Sequence, residues 1–198
     1  MKITNITIQK SKNNRCNLDI DGQFYCGIDS SLLVDLDLYQ GKEIDKAIFN
    51  KICQHEEYKK CLDRAYTILS IRMNSLAELD RKLSVKFSKS SVLKVIERLK
   101  ELGYLDDLVF ATGWVDSRKT DRGKFSLRQE LRQKGVNEEI IEKVLYDCTE
   151  EEEVYNAIKL IGKKHLTNLS RDEKFKKVSG LLSRRGYSYS VIKKALEE

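Results

Sequence analysis

Residues 65–72 read AYTILSIR, residues 111–118 read ATGWVDSR and residues 157–164 read AIKLIGKK, three octapeptides whose alanines stand 46 residues apart. All three obey one pattern, Ala-x-x-Φ-Φ-x-x-(Arg/Lys), with Ile68-Leu69, Trp114-Val115 and Leu160-Ile161 in the two large apolar slots and Arg72, Arg118 and Lys164 in the basic one. Apolar residues at i, i+3 and i+4 form one face of a helix, and a cation near the helix end is favoured by the macrodipole. A fixed period of this length marks a repeat architecture, in which each unit buries its apolar face against its neighbours.

Working outward, a second landmark follows in every unit: Leu79, Leu83 and Lys86; Leu127, Leu131 and Lys134; Val178, Leu182 and Arg185. This is a second amphipathic helix. Ser75-x-x-Glu78 and Ser170-x-x-Glu173 have capping-box spacing, whereas the middle unit offers Gly123 and Ser126. Ser88, Asn137 and Ser188 then stand as N-caps before a third apolar run. The expected fold is therefore mainly α: three tandem three-helix, helix-turn-helix-like repeats in an elongated curved array, preceded by a small β-rich segment. Expected boundaries are residues 1–50 for the strands and the start of a linking helix, 51–106 for that helix and the first repeat, 107–152 for the second and 153–198 for the third.

Residues 1–50 have strand texture, since Ile3, Ile6 and Ile8, then Leu18 and Ile20, then Phe24 and Ile28 come close to alternation. Residues 10–15 (KSKNNR) are turn-like, and Asp21-Gly22 is a two-residue hairpin signal. Helical periodicity takes over from Asp45. The absence of proline in 198 residues suits long helices, and a charged fraction of 34% of mixed sign suits a high ratio of surface to core.

Catalytic chemistry finds no support here. His55 and His165 are the two histidines, Cys53-x-His55 with Cys61 does not have zinc-ligand spacing, and the phosphate-loop, dinucleotide and nucleophile-elbow motifs are missing. No catalytic, cofactor or metal residues are expected, and His55 reads as an exposed residue on the linking helix. Cys16, Cys26, Cys53, Cys61 and Cys148 form no CxxC pair and read as reduced, mostly buried thiols. No apolar run approaches membrane-spanning length and Met1-Lys2-Ile3 does not open a signal sequence, so a cytoplasmic location with no membrane partner is expected.

Charge separates the repeats where the apolar slots do not. Residues 61–106 carry nine basic and six acidic side chains, 107–152 eight and eleven, and 153–198 eleven and five. In the second repeat Arg118, Lys119, Arg122, Lys124, Arg128, Arg132 and Lys134 share their stretch with Asp121 and Glu130, and Glu138, Glu139, Glu142 and Glu150–Glu153 follow. In the third, Lys163, Lys164, Arg171, Lys174, Lys176, Lys177, Arg184 and Arg185 make the most positive segment. Clustered cations steer and hold phosphates or acidic surfaces, although such a cluster is as often a solvated helix face. Trp114 shares its slot with Ile68 and Leu160, so core packing is its expected role.

The string Gly103-Tyr104-Leu105-Asp106-Asp107, with Phe110-Ala111, Trp114-Val115 and Arg118, and then Glu130-Leu131 and Lys134-Gly135-Val136, resembles the RecX family of recombination regulators. Arg72-x-x-Ser75-x-x-Glu78-Leu79 before it and the opening Ile3-Thr4-x-Ile6 and Arg15-x-Asn17 fit the same family, with Phe87 in the slot of Gly135 and a long 167–174 connector as departures. The resemblance implies a mostly structural role for the motif residues. It also implies a partner, the RecA recombinase filament with single-stranded DNA reached through it, and as consequence an inhibition of ATP hydrolysis, strand exchange and filament growth by a monomeric regulator. Two readings stand beside it: a helix-turn-helix protein that binds DNA directly, and a helical scaffold for an unrelated protein.

Overall fold

The structure, a computed structural model, describes residues 1–9, 14–162 and 171–197, the Arg171 side chain excepted. The chain divides into two compact units, Met1–Ser70 with Leu83–Arg98, and Ile71–Lys82 with Leu99–Glu198.

In the first unit β1 (Ile3–Ile8), β2 (Arg15–Ile20) and β3 (Gln23–Asp29) form an antiparallel sheet in the order β1-β2-β3. Asp21 and Gly22 join β2 to β3 with φ of 49° and 84°, the two left-handed residues of a type I′ hairpin. Alternation sends Ile3, Leu18, Ile20, Cys26 and Ile28 to one face, where they pack with Leu32 of α1 (Ser30–Asp35), with Leu38 and Ile44, and with Ile52 of α2 (Lys46–Ile71). Without glycine or proline between Lys46 and Ile71, α2 runs unbroken for 26 residues. Linking helix and first repeat helix are thus one element, and its first turns belong to the sheet's core through Ile48, Phe49 and Ile52. Arg15 fixes the sheet to α2: its Nη2 donates to both carboxylate oxygens of buried Glu56 at 3.1 Å and to the Gly27 carbonyl at 2.5 Å. His55, expected to be exposed, is half-buried, its Nε2 3.8 Å from Asp29 Oδ2, because α2 turns that face toward β3.

The helices continue as α3 (Leu76–Ser84), α4 (Lys89–Glu101), α5 (Asp107–Asp116), α6 (Lys124–Gln133), α7 (Glu138–Tyr146), α8 (Glu150–Gly162), α9 (Arg171–Arg184) and α10 (Tyr189–Glu197). The molecule is therefore mainly helical with a small N-terminal sheet, its later helices in triplets. In the second unit α5–α7 enclose Phe110, Ala111, Val115, Leu127, Leu131, Ile141, Val144 and Leu145. The α8–α10 triplet encloses Val154, Ala157, Leu160, Val178, Leu182, Tyr187, Val191 and Ile192. Because α8 starts at Glu150, a division at 153 falls inside a helix.

The first two triplets each borrow from the next to begin their second helix. The α3 start is held by Asp107, whose Oδ1 accepts the Leu76 N–H at 2.8 Å, and by Ser75, whose hydroxyl accepts from Glu78 N–H at 3.1 Å and donates to the Lys134 carbonyl. The α6 start, which has no side-chain cap of its own, is met by the Arg185 and Gly186 carbonyls on the Gly123 and Phe125 N–H groups and by Glu153 on the Lys124 N–H. Both carboxylates are half-buried where they meet these N–H groups, and that burial pushes the pKa values of Asp107 and Glu153 up. Gly135 and Gly186, at φ of 76° and 80°, close the turns after α6 and α9, and each lets the preceding triplet approach. A Cβ on Gly135 would fall on the Ala77 methyl, and one on Gly186 would stand 2.3 Å from the Ser126 nitrogen. Phe87 in the corresponding turn has no positive φ, so this departure from the family pattern costs the backbone nothing.

Candidate partner-binding surface

The motif residues resolve into structural tasks first. Gly103, at φ 72°, ends α4 in a Schellman arrangement, with the Tyr104 N–H on the Leu99 carbonyl at 2.9 Å. Leu105 is buried, and Asp106 caps α5 by accepting the Leu108 and Val109 N–H groups at 2.7 and 3.1 Å. Phe110, Ala111 and Leu131 are core.

Trp114 is where the motif turns polar. Its ring packs against the α5–α7 core beside Phe110, at 5.7 Å between centroids, yet it stays half-buried, unlike Ile68 and Leu160. The indole N–H donates to Glu130 Oε2 at 2.9 Å, the Arg118 guanidinium carbon lies 3.5 Å from the ring centroid, and the Lys134 ammonium lies 4.7 Å from it. Expected core packing therefore describes one side of this residue, and the other holds an ion-pair array. Glu130 also lies 3.4 Å from Arg118 Nε and 3.7 Å from Arg122 Nε. Lys134 reaches Glu78 at 2.6 Å, and Glu78 takes Arg72 through both oxygens at 3.2 and 3.3 Å.

Burial of Glu78 works to raise its pKa, but the hydrogen bonds and charges of Arg72 and Lys134 outweigh it and hold the carboxyl down at about 2. The Glu78 side chain thus serves these cations and does not return to the Ser75 N–H, so the expected capping box is only half formed. Two carboxylates and four cations form one array, of which Glu130, Arg118 and Lys134 touch the indole, leaving an excess of positive charge on a partly exposed surface. Arg72 and Glu78 belong to this array although neither was among the candidate binding residues. The hint available was that Arg72 occupies the repeat slot of Arg118.

The remaining basic residues of α6 and of the connection before it are less free than their local sequence suggests. Arg128 pairs with Glu142 at 2.8 Å, Arg132 pairs with Glu138 through two bonds of 2.8 and 2.6 Å, and Lys119 lies between Asp116 at 3.3 Å and Glu152 at 3.1 Å. The basic and acidic stretches have folded onto each other, because α6 and α7 pack side by side. Exposed pairs of this kind contribute only ~0–1 kcal/mol each, so a partner's anion can exchange into them. Lys124 sits at the α6 N-terminus beside exposed Phe125.

In the third triplet Arg185 is tied to Asp121, donating to its carbonyl at 3.0 Å. Lys174 is half-buried; Lys176, Lys177 and Arg184 are exposed and have no ion pair among the described residues. Lys163, Lys164 and the Arg171 side chain, all candidate contacts, lie outside the described residues. Among the described residues no three His, Cys, Asp or Glu side chains come together as a metal site, and no helix is long and apolar enough to cross a membrane.

The family model of the regulatory protein RecX N-terminal domain matches residues 1–45, and that of RecX, second three-helix domain, matches residues 106–145, the segment holding Trp114, Arg118, Glu130 and Lys134. A solved structure titled as regulatory protein RecX superposes over 100% of this chain and 99% of its own, with a TM-score of 0.80 at 27% identity. Regulatory protein RecX of Clostridioides difficile (strain 630) is 30% identical over 99% of this chain and 94% of its own length. That of Bacillus subtilis (strain 168) is 33% identical over 99% of this chain and 76% of its own. Identity at this level along nearly the whole chain, carried on the same fold, makes the protein a member of the RecX family of regulatory proteins.

Proposed function

We propose that the protein regulates the RecA recombinase, binding the RecA filament on single-stranded DNA as a cytoplasmic monomer and restraining its ATP hydrolysis, strand exchange and growth. Membership of a family of regulatory proteins, along nearly the full chain, is the observation that carries this reading. The charge distribution supports it: exchangeable ion pairs on α5–α7 suit a protein surface that carries both signs, and the unpaired cations of α9 suit phosphates. In this reading the triplets α5–α7 and α8–α10 are units that meet successive features of the filament.

The test is RecA's DNA-dependent ATPase with and without the protein. A rate that falls as the protein approaches stoichiometry with RecA is expected, and an unchanged rate at excess refutes the proposal. The alternative, a protein acting on free DNA, draws on Lys176, Lys177 and Arg184, and predicts tighter binding to naked DNA than to the filament.

A further inference from the structure

Helix α9 carries Val178 and Leu182 into the core of its triplet. Its opposite face holds Lys176, Ser179, Gly180, Ser183 and Arg184, spaced i, i+3, i+4, i+7 and i+8, one stripe of a helix. Both ends of the stripe are cations and its middle is nearly free of side chains.

The chain's own repeats show that the fold does not ask for this. With Leu79, Leu127 and Val178 aligned, α3 has Asp80, Arg81 and Ser84 where α9 has Ser179, Gly180 and Ser183, and α6 has Arg128, Gln129 and Arg132. Glycine is the worst helix former after proline, and serine is a weak one on an exposed helix face. Nor does packing require the glycine: a Cβ on Gly180 would meet only Arg184 Nη1, at 3.6 Å, an ordinary contact. Helical stability has been given up here without an internal return, and close approach of another molecule's backbone is the other use of a helical glycine.

We propose that this face of α9 is a docking strip for the sugar-phosphate backbone of a nucleic acid, with Lys176, Lys177 and Arg184 on phosphates, the Ser183 hydroxyl, and that of Ser179 on exchanging its 3.3 Å bond to the Lys176 carbonyl, reaching phosphate oxygens, and Gly180 giving the strand room to lie against the helix. The cations are exposed and unpaired among the described residues, while Asp172 and Glu173 stand in the first turn, where the macrodipole favours them. Eight residues of helix separate Lys176 from Arg184 by about 12 Å, room for more than one phosphate of an extended strand. Phosphate contacts of this type draw on basic side chains, hydroxyls and close backbone approach and carry no sequence information. A second copy of the chain fits less well. With the same alignment Lys176 stands at the position of Ala77 in α3, which packs on the Gly135 turn, and Lys177 at that of Ser126 in α6, which packs on the Gly186 turn, so each lysine replaces a small residue that seats one triplet on the next. The inference deepens the filament reading and rests on it only for where the nucleic acid is met.

The experiment measures fluorescence anisotropy of a labelled thymidine oligonucleotide with the full chain and with Gly180→Gln, Lys176→Gln and Arg184→Gln, beside thermal unfolding of each. Gly180→Gln is expected to raise Tm by about 2–4 °C, as a better helix former does, and yet to weaken oligonucleotide binding about tenfold, the value of one charge-assisted contact. Each cation variant should lower the slope of log K against log salt by about 0.7. Tm raised with affinity unchanged overturns the proposal, as does a Tm that falls, since the glycine would then serve the fold. Stronger competition by polyglutamate than by unlabelled oligonucleotide of equal charge also overturns it, in favour of an acidic protein. RecA ATPase, assayed on the same variants, separates the two readings: oligonucleotide binding that follows the strip while ATPase never responds to wild type leaves the strip standing and removes the filament.

Discussion

Replacing Glu78 by Gln tests whether the array around Trp114 is held by charge. In the folded protein the carboxyl titrates at about 2 against an ordinary 4.5. At ~1.36 kcal/mol per pH unit that displacement corresponds to about 3 kcal/mol. Arg72, nearly half exposed, works through water, which brings the expected loss in Glu78→Gln to about 2 kcal/mol at neutral pH. The folded pKa lies below the unfolded one, so the contribution is complete above about 4.5 and fades as the pH falls toward 2. Urea unfolding followed by the fluorescence of Trp114, the single tryptophan, at pH values from 7 to 3 measures it. The gap between wild type and variant should be widest at pH 7 and should close steadily below about pH 4.5. A gap that stays constant down to pH 3 would show that Glu78 acts by shape or hydrogen bonding alone, and the charge argument would fail.

Gly186→Ala combines a φ of 80° with a Cβ 2.3 Å from the Ser126 nitrogen and should cost more than about 3 kcal/mol by chemical denaturation, whereas Gly103→Ala, with comparable φ and open space, should cost only about 1–2 kcal/mol. Trp114→Phe keeps the contact with Phe110 but removes the donor to Glu130, and circular dichroism melts in urea should show a loss of about 1–2 kcal/mol with Arg118 losing its stacking surface.

Periodicity made the helices and the hairpin legible because their signals are local. Asp21-Gly22, the Asn137 cap and the apolar slots of Leu127, Leu131, Val178 and Leu182 each depend on residues within a turn or two. The 26-residue α2 was half legible: apolar spacing announced it, but nothing in the spacing says that a linker and a repeat helix fuse. Charge was the least legible. Residues 118–134 look unbalanced along the chain, and their counter-ions, Glu138, Glu142, Glu152 and Glu78, come from other helices that only the fold brings near. His55 was misread and Trp114 only half read for one reason. A residue's degree of burial depends on what packs opposite it, and Asp29 and the Arg118–Lys134 pair lie far along the chain or on a later turn.

The borrowed helix starts bear on how such a chain is made. The first N–H groups of α6 find acceptors on Arg185, Gly186 and Glu153, and α3 finds one on Asp107. During synthesis from the N-terminus, the acceptors that complete the α3 and α6 starts therefore become available only once the following triplet has been made. Deleting a trailing triplet would unsettle the one left behind, so growth or loss of repeats in this lineage requires a new cap at the cut and not only a new length.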